Sequence, residues 1–487
     1  MDYVRFHAQL HGKKLAVHDL VSNRSWTYAQ FDGFIAGGTG YLAAKGVGEG
    51  DRVACLSKNC ADIIALHLAC ARLGALFVPL NWRLSEAEIA ALIEDCEPSV
   101  IFGDELAEEL GVDAEDISQL EQKCKKASQD AGCVGAGGLP SLMLYTSGTT
   151  GLPKGVMLSE NNLTETAINF SLLGEVDADS SFLCESPMFH IIGMVTSVRP
   201  AFLMGGTVVV SDRFIPEKTL DKLSDPALKI THYFCVPQMA VALRAAENFD
   251  PDRLRNMKAI FTGGAPHPEA QIREWLQDDI PIVDGYGMSE AGTVFGMPLD
   301  KNLIDRKAGC VGISTPRLQA RLVDAAGNLV APGEAGELQL KGPNITCGYW
   351  RREADFKATL TSDGWFRTGD ILTQDADGFF KVTDRKKDMF ISGGENVYPA
   401  EVEALLIKYP GIAELAIAGV PDDRWGEVGC LFYVPKAGEL ALADIEKFLD
   451  GKLARYKVPK RILALKELPR NGVGKVLKHE LRRMAAG

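Results

Sequence analysis

The sequence predicts an α/β protein, with a large domain of parallel and mixed sheet followed by a smaller domain. Three observations predict it. Short apolar runs alternate with helix-length amphipathic stretches through the first part of the chain. Over residues 318–340 the pattern becomes short alternating segments divided by Ala326-Gly327-Asn328 and Pro332-Gly333-Glu334-Ala335-Gly336, which reads as antiparallel β-structure. A charged cluster, Asp384-Arg385-Lys386-Lys387-Asp388, then precedes a fresh β/α alternation.

Taken in order, residues 51–56 read as a strand, 61–73 as a helix and 75–79 as the next strand. That is a βαβ unit, and it implies parallel sheet with helices on its faces. Residues 132–140 are Gly-rich and read as a loop. Residues 208–210 and 258–261 read as further buried strands. The boundaries are 1–384 for the large domain, 385–388 for the junction and 389–487 for the small α+β domain. On composition alone the charged cluster reads equally well as a solvated turn inside one domain.

A chain of 487 residues exceeds one ordinary core. Its 46% hydrophobic and 24% charged residues are those of an average globular protein. A net charge of −13 argues against nucleic acid as a partner. Residues 1–5 lack the apolar run of a signal peptide. The most apolar long stretch, 63–80, carries His67, Arg72, Gly74 and Pro79, which suits a buried helix and strand better than a transmembrane segment. Eleven Cys without a C-x-x-C pair read as reduced thiols of a cytoplasmic protein.

Residues 145–155 read Tyr-Thr-Ser-Gly-Thr-Thr-Gly-Leu-Pro-Lys-Gly. Gly148, Gly151 and Gly155 let the backbone approach an anion. Thr146, Ser147, Thr149 and Thr150 add hydroxyls, and Lys154 adds a point charge. The loop suits a polyphosphate, yet Gly155 after Lys154 departs from the G-x-x-x-x-G-K-[ST] pattern. It resembles the signature of the adenylate-forming superfamily: acyl-CoA synthetases, firefly-type luciferases and peptide-synthetase adenylation domains. Further matches follow in the same order to the C-terminus.

Pro187-Met188-Phe189-His190-Ile191-Ile192-Gly193 resembles the family's aromatic-His segment beside the acyl pocket. A His in an apolar run is otherwise more often a core residue. The resemblance places His190, Gly193, Met194, Val236 and Gly263 at the acyl substrate. Gly263-Gly264-Ala265-Pro266 resembles the segment beside adenine and the acyl group. In Asp284-Gly285-Tyr286-Gly287-Met288-Ser289-Glu290, a Tyr between glycines offers a face for stacking, and Glu290 offers a hard oxygen for Mg2+. Glu290 reads equally as an acid at a helix N-terminus. The resemblance implies adenine against Tyr286, and Mg2+ held by Glu290 with Thr146. Ser289 stands where relatives usually carry Thr and keeps the hydroxyl.

Asp370 and Arg385 match the ribose-binding positions, and Gly393-Gly394 matches the loop that lines the pantetheine tunnel of coenzyme A. Lys475, in Pro469-Arg470-Asn471-Gly472-Val473-Gly474-Lys475, resembles the adenylation lysine. Lys387 matches the hinge about which the small domain rotates. The resemblance also implies a β-barrel-like subdomain and a mobile small domain. The implied activity is an ATP-dependent ligase that turns a small carboxylic acid into its acyl-CoA thioester through an acyl-adenylate, releasing AMP and pyrophosphate. ATP, Mg2+ and coenzyme A are the implied cofactors, and a homodimer is admissible.

Residues 190–194, 234–239 and 291–298 contain no Lys or Arg. A monocarboxylic acid is therefore favoured, aromatic or arylalkenoic ahead of medium-chain. Loading of a carrier protein, a luciferase-like oxygenase and a non-enzymatic adenylate-binding regulator are the competing readings. Lys475→Ala should separate the half-reactions. Pyrophosphate exchange should fall by about tenfold or more, while thioester formation from supplied acyl-adenylate and coenzyme A survives. An equal loss in both would make Lys475 a structural residue.

Overall fold

The computed structural model describes residues 2–127, 137–146, 153–264, 267–324, 326–385, 390–397, 399–436, 438–469, 476 and 478–486. The chain divides into two compact units. The first holds Met1–Leu80, Cys96–Leu144 and Gly155–Asp384, and the second Asn81–Asp95, Tyr145–Lys154 and Arg385–Gly487. Among the described residues the strands form sheets of nine, seven, four and five strands.

The expected βαβ unit is present in the first unit. Strand Arg52–Leu56 pairs in parallel with Leu76–Pro79, and helix Ala61–Leu73 makes the crossover. Gly74 ends that helix in the left-handed region at φ 73°, where a residue without Cβ pays no steric cost. The nine-stranded sheet has a parallel centre of Thr207–Val210, Ser181–Cys184, His232–Cys235, Ala259–Thr262 and Ile282–Met288. These strands are short and mostly buried, as expected for strands covered on both faces. Residues 185–190, 236, 263–264 and 284–290 lie at or beyond their C-terminal ends. Ligands of open α/β sheets bind at that edge.

An aromatic stack fills part of this core. The His232 ring lies 4.5 Å from Phe182 and 5.6 Å from Phe261, nearly parallel to both. Burial lowers its pKa to about 4, so it is neutral.

Helix Glu160–Leu173 begins at a capping box between Ser159 and Asn162. Its first residue, Glu160, is buried and takes both Arg199 terminal nitrogens at 2.8 Å and the Ser141 hydroxyl at 2.6 Å. Burial alone would raise the Glu160 pKa, but Arg199 holds it at about 2. His67 sits over the same guanidinium, 3.2 Å from it, with its own pKa lowered to about 3 by burial and then by Arg199.

Strands Gln319–Val323, Gly336–Lys341, Phe366–Gln374 and Phe380–Arg385 form the curled four-stranded sheet, in the place where the barrel-like subdomain was expected. In the second unit, Phe390–Ser392 and Glu395–Val397 form a tight hairpin. Gly393 and Gly394 make its turn at φ 59° and 84°, values that suit glycine. Also in this unit, Lys457 is buried between Glu88 at 2.6 Å and Glu401 at 2.7 Å. Among the described residues no helix is long and apolar enough to cross a membrane. The described cysteines are free thiols, and most are buried.

Arg199→Met should leave Glu160 buried without its cation. It should cost about 3–5 kcal/mol in urea unfolding. A loss below about 1 kcal/mol would mean that the carboxylate finds water or takes a proton.

Candidate active site

The phosphate loop leaves strand Pro140–Thr146 and returns as Lys154–Ser159. The Thr146 hydroxyl donates to the Lys154 carbonyl at 3.4 Å and closes the neck of the loop. The Tyr145 hydroxyl donates to Asp95 at 2.6 Å. Ser147, Gly148, Thr149, Thr150 and Gly151 lie outside the described residues, as do Ala265, Pro266, Lys387 and Lys475. Arg385 is described as the last residue of its strand.

Tyr286 lies on strand Ile282–Met288 and is 9% exposed. One face meets Phe295, with centroids 5.6 Å apart. Its hydroxyl donates to Asp370 at 2.5 Å, which joins two residues read separately as adenine and ribose contacts. The strand ladder slips between Tyr286 and Gly287. A Cβ on Gly287 would lie 2.4 Å from the Gly292 carbonyl oxygen, so no other residue fits without movement.

Ser289 and Glu290 sit in the turn before strand Gly292–Gly296. The reading of Glu290 as a helix N-terminal acid is therefore set aside. Its carboxylate accepts from the Tyr349 hydroxyl at 3.0 Å, and its carbonyl accepts from the Thr346 amide at 2.6 Å. Tyr349 was not foreseen, because no local pattern links residues 59 apart.

Asp284, at the exit of the same strand, is 3% exposed. It accepts from the Thr262 hydroxyl at 3.1 Å and the His267 amide at 3.4 Å. Burial raises its pKa from 3.8 to about 7. Burial also lowers that of His267 to about 4. Both groups are thereby biased towards their uncharged forms beside Tyr286. Gly264 holds the left-handed conformation at φ 81°.

His190 follows a turn closed by its amide on the Pro187 carbonyl at 3.1 Å, and its ring lies 4.6 Å from Phe189. Residues Ile192–Thr196 form a single π-helical turn, a feature frequent at functional sites. Gly193 inside it is closely confined, since an added Cβ would lie 2.2 Å from the Pro187 carbonyl oxygen. Met194 is buried, and Val236 caps helix Pro237–Ala245 half-buried. The basic residue of that helix, Arg244, donates to Asp278 at 2.6 Å and lies over Trp275. Gly393 donates its amide to the Trp425 carbonyl at 3.0 Å.

Tyr286, stacked on Phe295 and bonded to Asp370 at the edge of a parallel sheet, marks a ligand-binding α/β protein. The model of the AMP-binding enzyme family matches residues 4–350, and that of the AMP-binding enzyme C-terminal domain matches residues 401–475. The chain belongs to this family. Indoleacetate–CoA ligase of Aromatoleum aromaticum is 38% identical over 100% of this chain and 98% of its own. Feruloyl-CoA synthase of an Amycolatopsis species is 38% identical over 94% and 93%. A doubly substituted o-succinylbenzoate CoA synthetase of Bacillus subtilis, bound to its product analogue, matches with a TM-score of 0.89. It is 30% identical, covering 99% of this chain and 98% of that one. Within the family this chain is an AMP-forming acid–thiol ligase, forming acyl-CoA from ATP, coenzyme A and a carboxylic acid through an adenylate.

The Asp284 proton has a consequence for stability. Above its ordinary value of 3.8 the unfolded chain has lost that proton, and the folded chain keeps it up to about 7. Stability therefore falls as pH rises through that window and levels off above it, by at most about 1.4 kcal/mol per pH unit. Asp284→Asn should flatten this fall. Urea midpoints at about pH 5 and pH 8 would show it, and equal slopes in parent and variant would refute it.

Proposed function

We propose that the chain makes the coenzyme A thioester of an aromatic monocarboxylic acid. Arg244 carries this reading. It is the basic residue of helix Pro237–Ala245, which follows Val236, and it is paired with Asp278. A second carboxylate would be buried without a partner there. Relatives named for indoleacetate and ferulate point the same way. A carrier protein as acceptor is less favoured, because these relatives are named as coenzyme A enzymes.

A free carboxylate is a poor electrophile, since its oxygens leave badly. Attack on the α-phosphate gives a mixed anhydride with AMP as leaving group. Catalysis is then positioning plus fixed positive charge. In this reading Lys154 and the loop amides meet the polyphosphate, and Lys475 meets the α-phosphoryl oxygens. Tyr286 supports adenine, and Asp370, shared with its hydroxyl, meets the ribose with Arg385.

Among the described residues no group of three or more His, Cys, Asp or Glu could hold a metal. One carboxylate at Glu290 and one hydroxyl at Thr146 still suit Mg2+, which takes few protein oxygens and completes its shell with phosphate and water. When bound, it would neutralise charge growing on the phosphates. Lys387 is the proposed hinge that clears Lys475 away and brings in Gly393-Gly394 for thiol attack.

The test is a panel of acids assayed for AMP release with and without coenzyme A. Arylacetic and arylalkenoic acids should exceed malonate and succinate by about tenfold or more in kcat/KM. Better turnover of either dicarboxylate would overturn the assignment.

A further inference from the structure

Asn59 lies between strand Arg52–Leu56 and helix Ala61–Leu73, outside every motif read from the sequence. Its base is rigid. The Lys58 amide donates to Asp104 at 2.9 Å, and the Ala61 amide donates to Asp19 at 3.1 Å. The side chain is 3% exposed and makes three bonds, all to distant backbone. Nδ2 donates to the Ser186 carbonyl at 2.9 Å and the Ser211 carbonyl at 3.3 Å. Oδ1 accepts from the Met188 amide at 2.9 Å.

These partners share one location. Ser186 and Met188 follow strand Ser181–Cys184, and Ser211 follows its neighbour Thr207–Val210. The Ser186 hydroxyl donates to the Phe234 carbonyl at 3.3 Å, on strand His232–Cys235, which flanks Ser181–Cys184 on its other side. The Asn59 amide therefore ties together the exits of two adjacent parallel strands, and the Ser186 hydroxyl links them to a third. Between them run the turn that presents His190 and the segment that carries Val236. A Cβ added to Gly193, in the π-helical turn, would lie 2.4 Å from the Ser186 carbonyl oxygen, so the segment has little room to compensate for a shift at Ser186.

We propose that Asn59 is a positioning residue for the acyl site, fixing the distance between the His190 wall and the Val236 wall through Ser186. It touches neither substrate nor nucleotide. It acts on which acids fit and how well, and it leaves the ATP contacts on strand Ile282–Met288 alone. The inference rests on the reading of residues 186–194 as a wall of the acyl site.

The experiment is steady-state kinetics of the full chain with varied acid and varied ATP. Asn59→Ala should raise KM for the acid by about tenfold and narrow the preference between large and small acids, with KM for ATP within about twofold. Ser186→Ala removes only the bond to Phe234, and it carries the test if Asn59→Ala does not fold. It should shift the acid KM in the same direction by a smaller factor. His190→Ala reports on the underlying reading. If His190→Ala alters the acid KM while Asn59→Ala and Ser186→Ala lower only the thermal midpoint, Asn59 is a structural amide and the inference falls. If His190→Ala also leaves acid kinetics unchanged, residues 186–194 do not line the acyl site, and the reading falls with the inference. Equal rises in the KM of acid and ATP would likewise overturn it.

Discussion

The Glu160–Arg199 pair is the constraint from which the first unit can be traced. A carboxylate and a guanidinium taken out of water are tolerable only with good geometry and every remaining lone pair met. Both guanidinium bonds are 2.8 Å, and Ser141 meets one carboxylate oxygen as well. Ser141 lies on the strand that leads into the phosphate loop, and Glu160 follows the strand that leaves it. The pair thus ties the strand that enters the loop to the residue that follows the strand leaving it. Helix Glu160–Leu173 then lies on strand Gly292–Gly296, where Thr166 meets Gly292 and Leu173 meets Gly296. That strand pairs with the one bearing Tyr286, so helix Glu160–Leu173 connects the buried charge pair to the Tyr286 strand.

A second theme is the removal of charge from the core. His67, His232 and His267 are all driven towards neutrality by burial, and Asp284 towards its protonated form. Glu160, which has an ionic partner in Arg199, keeps its charge.

Much of this was legible in the sequence, for physical reasons. Periodicity marked the βαβ unit because buried parallel strands need continuous apolar runs. Glycine pairs marked turns where backbone is forced to positive φ, as at Gly393 and Gly394. What stayed hidden depends on residues far apart in the chain. Nothing local links Tyr286 to Asp370, or Glu290 to Tyr349. The π-helical turn at residues 192–196 has no composition of its own. The grouping of residues 81–95 with the C-terminal segment rests on contacts such as Lys457 with Glu88, which no spacing reveals.

The free thiols bear on the company this enzyme keeps. A ligase whose co-substrate is itself a thiol works beside oxidised and mixed-disulfide forms of that molecule. Exchange needs a thiolate on the protein. Burial raises the thiols of Cys55, Cys60, Cys70, Cys184 and Cys235, puts that of Cys124 at about 12 and that of Cys430 at about 11. These sulfurs stay protonated at neutral pH, and all but the partly buried Cys60 are buried. The core thus spends its cysteines as small hydrophobes, and oxidative stress that converts the co-substrate to disulfide leaves these positions unmarked.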